Sequence, residues 1–94
     1  MSGRRPDVVV YTRQGCGLCT RAEALVATEA RRADVRIVDV DDDPGLQARY
    51  AVRVPVVTVD GTEIAATELG HGVVRRAVRR SRRRRALGHS RRTA

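Results

Sequence analysis

Asp7-Val8-Val9-Val10-Tyr11-Thr12-Arg13-Gln14-Gly15-Cys16-Gly17-Leu18-Cys19 joins an uninterrupted β-branched run to the only two cysteines of a 94-residue chain. The run from Asp7 to Thr12 suits a central strand buried on both faces. Arg13-Gln14-Gly15 makes a loop. From Cys16 to about Arg32 the apolar residues Leu18, Ala22, Leu25 and Val26 recur at helical spacing. The cysteine pair therefore lies at a strand-to-helix junction.

Working outward, Val35 to Val40 reads as a second strand. Asp43 is a good N-cap and Pro44 a good first helical residue, opening a short helix through about Tyr50. Val54 to Val59 is a third strand entered through Pro55. Asp60-Gly61 is a hairpin turn signal, and Thr62 to Ala66 returns as a fourth strand. A last helix carries Leu69, Val73, Val74, Ala77 and Val78 on one side. It runs into Arg79-Arg80-Ser81-Arg82-Arg83-Arg84-Arg85 and is expected to fray near Gly88.

The order βαβαββα predicts an α/β domain of the thioredoxin-like fold, a mixed four-stranded sheet flanked by helices. Residues 1–78 form that domain and residues 79–94 an arginine-rich C-terminal extension. Open α/β sheets place their sites at the carboxyl ends of strands, where Cys16 lies.

At a helix N-terminus, unpaired N–H groups and the positive end of the dipole favour a thiolate, while a residue three later lies one turn inside and more buried. This assigns Cys16 as the attacking thiolate and Cys19 as the resolving thiol of a disulfide exchange, with Arg13 as an added cation. A closed zinc site needs four ligands, and only His71 and His89 remain as further donors. An inert disulfide here closes too short a loop to stabilise much. Pro55, at the very start of a strand, is open to either peptide isomer. The backbone of Val54 beside it is placed to pair with an incoming extended chain.

No apolar stretch approaches the roughly 20 residues needed to span a bilayer. The run from Val8 to Tyr11 is too short for the apolar core, about 7–15 residues, of a secretory signal. The expected location is the cytoplasm, where spaced cysteines are more often catalytic or metal-binding than structural. Residues 1–74 hold nine arginines against eleven acids, whereas residues 75–94 hold ten arginines and no acid. The basic balance thus belongs to the C-terminal segment, which suits weak, salt-dependent electrostatic contact with nucleic acid or an acidic partner. Tyr11 and Tyr50 are the only aromatics, both expected within the fold, so base-specific readout is not expected.

With Tyr11 to Cys19 and Tyr50-Ala51-Val52-Arg53-Val54-Pro55-Val56-Val57 together, the chain resembles the glutaredoxin-like family of small bacterial thioredoxin-fold proteins, from about Val8 to Val78. The resemblance implies a dithiol–disulfide oxidoreductase with a cis peptide at Val54-Pro55 facing the cysteines. It also implies that Arg13 and Val54 contact a thiol cofactor, and that Thr67 and Glu68 bind an amino-acid head group at the start of the last helix. Ala65-Ala66-Thr67-Glu68 stands where glutaredoxins carry two glycines, a variable residue and an aspartate. Gly17-Leu18 matches neither the Pro-Tyr of glutaredoxins nor the Gly-Pro of thioredoxins. Gly15 and Val10 replace the tryptophan and buried aspartate of thioredoxins.

The expected activity is cell redox homeostasis chemistry by a monomer on a disulfide-bearing protein or small thiol. No permanently bound cofactor or metal is expected, and glutathione or mycothiol is the candidate reductant. Two alternatives use the same residues. One is a redox-responsive binding module tethered through the arginine segment, and the other a metal-binding adaptor.

Overall fold

The computed structural model describes residues 5–93, with side chains described through residue 87. Its strands are β1 (Asp7–Thr12), β2 (Asp34–Asp39), β3 (Val56–Val59) and β4 (Thr62–Ile64), and its α-helices are α1 (Gly17–Glu29), α2 (Pro44–Tyr50) and α3 (Val73–Thr93). Short 3-10 turns at Val40–Asp42 and Ala66–Glu68 complete the chain path. The sheet order is β2-β1-β3-β4. β1 runs parallel to β2 and antiparallel to β3, and β3 pairs antiparallel with β4. The thioredoxin-like α/β architecture read from the sequence is therefore the observed one.

Alternation along the central strand divides the interior in two. Val8 and Val10 face α1 and α3, where they pack with Ala22, Val26, Val57, Val74 and Val78. On the other face, Tyr50 of α2 packs with Val40 and Val56 and stacks on Tyr11, ring centroids 4.5 Å apart. Asp43 caps α2 through its carboxylate, which accepts the N–H of Gly45 at 2.7 Å and of Leu46 at 3.3 Å. Asp60 and Gly61 both take positive φ, 48° and 85°, in the tight turn of the β3–β4 hairpin.

Several boundaries differ from expectation. α1 ends at Glu29 rather than near Arg32, because the chain turns at Ala30 to bury Ala30 and Ala33 in the core. Its inward residues are Cys19, Ala22, Val26 and Glu29. Ala22 and Val26 face inward as the spacing suggested, but Leu18 points outward, 58% exposed, and Cys19 takes the inward place in the first turn. β3 starts at Val56, and β4 stops at Ile64 before the 3-10 turn. α3 passes Gly88 and continues to Thr93. It also runs without a break across positions 78 and 79, and Ser81 and Arg85 reach back to Asp60. Among the described residues no helix is long and apolar enough to cross a membrane.

Candidate functional site

β1 delivers the chain to the sheet edge at Thr12, and three loop residues turn it into α1. Cys16 occupies the N-cap position with extended backbone (φ −100°, ψ 105°), and its sulfur accepts the backbone N–H of Cys19 at 3.1 Å. This is the orphan donor of a helix N-terminus directed at a sulfur. The two residues are disulfide-bonded, with Cα atoms 5.2 Å apart. Cys16 is partly exposed, whereas Cys19 is 1% exposed. The sequence expectation of an outer and an inner sulfur matches this geometry.

A shallow cavity of about 470 Å³ opens over the pair and is bordered by Thr12, Arg13, Gln14, Thr20 and Glu23. Arg13 reaches it from the loop, but its Nε donates to Asp41 at 3.0 Å and its Nη1 to the Ala51 carbonyl at 3.5 Å. The guanidinium thus joins the β1–α1 loop to the turn before α2, beside the cysteines rather than on them. Glu23 was not singled out from the sequence. It stands four residues after Cys19 on α1, and that spacing is the signal that identifies it.

The peptide between Val54 and Pro55 is cis. Pro55 is buried and borders a second groove, about 520 Å³, with Leu18, Ala22, Leu25, Ala66 and Leu69. The exposed residue between the two cysteines and the proline turn therefore share one apolar surface. Val54 does not offer its N–H as expected, because that group donates to the Tyr50 carbonyl at 3.0 Å and closes the turn after α2.

Thr67 and Glu68 lie in the 3-10 turn at Ala66–Glu68, not at the start of the last helix, which begins at Val73. Glu68 accepts the Ala65 N–H at 3.0 Å and borders the cavity next to Arg76 and Arg80, away from the cysteines. The structure brings together Cys16, Cys19 and Arg13, and places Pro55 beside Leu18. It does not bring Glu68 to them. Among the described residues no group of three or more histidine, cysteine or acidic side chains is arranged to hold a metal ion. His89 lies outside the described side chains.

Comparison with known proteins agrees with this geometry. "Uncharacterized protein Rv0508" of Mycobacterium tuberculosis is 37% identical over 84 residues, covering 82% of this chain and 87% of the relative. "Uncharacterized protein Mb0520" of Mycobacterium bovis matches equally. Among solved structures, target protein XcR50 from X. campestris superposes with a TM-score of 0.53 at 32% identity, covering 65% of this chain and 87% of that one. Fasciola hepatica thioredoxin gives 0.50 at 29% identity, covering 81% and 80%. The holo form of glutaredoxin C1 from populus tremula x tremuloides gives 0.58 at 21% identity, covering 90% and 83%, a likeness of fold alone. The family model described as "Glutaredoxin-like domain (DUF836)" matches residues 7–80. With its cysteine pair at the first strand–helix junction of a thioredoxin-like sheet, the chain belongs to this glutaredoxin-like family.

Proposed function

We propose that the protein is a dithiol–disulfide oxidoreductase in which Cys16 attacks and Cys19 resolves. The observation that carries this reading is the asymmetry of the pair: a partly exposed Cys16 at the helix N-cap, whose sulfur receives the N–H of a buried Cys19. The same N–H and the helix dipole stabilise negative charge on Cys16 once the bond is reduced.

In the reduced protein the Cys16 thiolate attacks one sulfur of a substrate disulfide. A new S–S bond forms, the substrate bond breaks, and the departing thiolate takes a proton from solvent. Cys19 then loses its proton and attacks the Cys16 sulfur, releasing the second substrate thiol and leaving the Cys16–Cys19 disulfide. Glu23 borders the same cavity, and to this carboxylate we assign the acceptance of that proton. The substrate gains two electrons, and two equivalents of a small thiol restore the dithiol while becoming a disulfide.

The apolar groove holding Leu18 and Pro55 supports a polypeptide substrate. The commitment of Arg13 to Asp41 and of Glu68 to its own turn weakens the reading of a dedicated small-thiol pocket. Turnover of a model disulfide with glutathione, mycothiol or thioredoxin reductase as donor tests the proposal. Sustained turnover with one donor, abolished in Cys16→Ser, is the expected result. Equal rates for Cys16→Ser and the parent with every donor would sink it.

A further inference from the structure

Every exposed residue of α3 between positions 75 and 84 is an arginine: Arg75, Arg76, Arg79, Arg80 and Arg82 to Arg84. At about 100° per residue they fill one continuous arc of roughly 200°. Val74 and Val78 hold the opposite side against the core, and Ser81 is held to Asp60. Among the described residues none of these seven guanidinium groups makes an ion pair. Nearby acids are already occupied, since Glu63 pairs with Arg53 at 2.5 Å and Glu68 accepts the Ala65 N–H.

The dimensions select a partner. From Arg75 to Arg84 the helix rises about 14 Å and carries seven positive charges. A nucleic-acid duplex presents roughly eight phosphate charges over that length. A helix about 10–12 Å across fits a major groove about 12 Å wide, and a 200° arc reaches both of its phosphate walls. The apolar side of α3 is used in the core, and among the described residues Leu87 is the one large apolar side chain exposed on the helix, too little to seat it in a lipid interface. Tyr11 and Tyr50 stack on each other, which leaves no exposed aromatic for the bases of a single strand. The anchor at Asp60 holds the helix in place before any partner arrives, which lowers the ordering cost of binding.

We propose that the solvent face of α3 is a sequence-independent docking surface for the phosphate backbone of duplex DNA. The reading is independent of the redox site and stands or falls separately.

The test is fluorescence anisotropy of the full chain on a labelled 20-base-pair DNA duplex between about 50 and 300 mM salt. Neutralising about five phosphates gives a slope of log affinity against log salt near −4 to −5. Two duplexes of unrelated sequence should bind within about threefold of each other. A variant with Arg79, Arg80, Arg83 and Arg84 all changed to Gln should bind at least about tenfold more weakly and flatten the slope by about 3 to 4, with disulfide turnover unchanged. If that variant loses helix content by circular dichroism, Lys at the same four positions decides. Affinity within about threefold of the parent supports charge-based docking, and a tenfold loss overturns it. Undiminished binding by a folded Gln variant, or a slope shallower than about −2, also overturns the proposal. So does stronger binding to poly-glutamate or to phosphatidylserine vesicles than to the duplex.

Discussion

The carboxylate of Glu29, in the last turn of α1, accepts the backbone N–H of Gly72 at 2.8 Å on the approach to α3. It also accepts the N–H of Arg75 at 3.1 Å, with its side chain only 1% exposed. One acidic group thus fastens the end of the helix that follows the cysteine pair to the beginning of the arginine helix. Burial acts to raise its pKa, but the two N–H groups, with Arg75 and His71 nearby, outweigh burial and hold it below the ordinary 4.5. Glu29→Gln should lower the unfolding free energy at pH 7 by about 1–3 kcal/mol, read by urea denaturation. Because the folded-state pKa is depressed, the ionised group's contribution is full above about pH 4.5 and fades as pH falls through the folded value. Parent and variant should therefore converge in acid, and a constant gap from pH 7 to pH 3 would contradict the cap.

Asp60 makes a second fastening. Its carboxylate accepts the Arg85 guanidinium, the Ser81 hydroxyl and, at 2.9 Å, the Asp7 N–H. Arg85 is the main cause that holds its pKa far below the usual carboxylate range. Burial opposes this, and Ser81 and Asp7 reinforce it. Asp60→Asn keeps a residue tolerant of the positive φ there and removes the charge. It should cost about 1–2 kcal/mol and speed amide exchange over residues 81–87 at least about tenfold, with α1 unaffected. Unchanged exchange in that segment would mean that Asp60 does not anchor the helix.

The parts of this fold that were legible in the sequence rest on local chemistry. The valine run of β1, the Asp43-Pro44 cap, the Asp60-Gly61 turn and the Cys16–Cys19 spacing each carry their structural reason within a few residues. What was not legible depends on distant partners. Leu18 and Cys19 are adjacent, and helical spacing alone does not fix which of them turns inward; Pro55, remote in sequence, supplies the groove that Leu18 borders. Glu29 looks like an ordinary helix carboxylate until Gly72, forty-three residues on, is placed against it. Ser81 and Arg85 sit in a charge run whose composition reads as solvated, yet both face Asp60. Val54 was read as an open backbone site because sequence does not show that Tyr50 takes its N–H.

Leu18 should discriminate between classes of substrate. It is 58% exposed between the two cysteines and borders the groove that holds Pro55 and Leu69. Covering such a side chain contributes about 1.5–3 kcal/mol to a complex that buries it. Leu18→Ser should lower kcat/KM for a protein disulfide about tenfold and leave a small aliphatic disulfide within about twofold. Parallel losses on both substrates would place Leu18 in the chemistry of the pair rather than in docking.

Replacing the buried sulfur should stop the cycle halfway. Cys19→Ser retains Cys16 at the helix N-cap, so the first attack proceeds, but no thiol remains to release the substrate. Intact-mass analysis after incubation with a disulfide substrate should show a stoichiometric adduct on Cys16 that a small thiol removes. No adduct in Cys19→Ser, together with an adduct on Cys19 in Cys16→Ser, would reverse the assignment of nucleophile.

Glu23 should act on the second displacement alone. It shares the cavity of Cys16 and Cys19 and stands one turn beyond the buried sulfur, the one that must lose its proton in low-dielectric surroundings. Charge near Cys16 would alter the first attack as well, so the two steps need separate readouts. Rapid-quench mass spectrometry supplies them as the rise and decay of the mixed disulfide. In Glu23→Gln the rise should match the parent, while the decay slows about five- to tenfold near pH 6.5. As pH climbs past the ordinary thiol value of about 8.5, Cys19 ionises without assistance and the two decay rates should meet. A slowed decay that stays parallel to the parent through pH 9 would assign Glu23 a packing role, because only a proton acceptor becomes dispensable once solvent removes the proton.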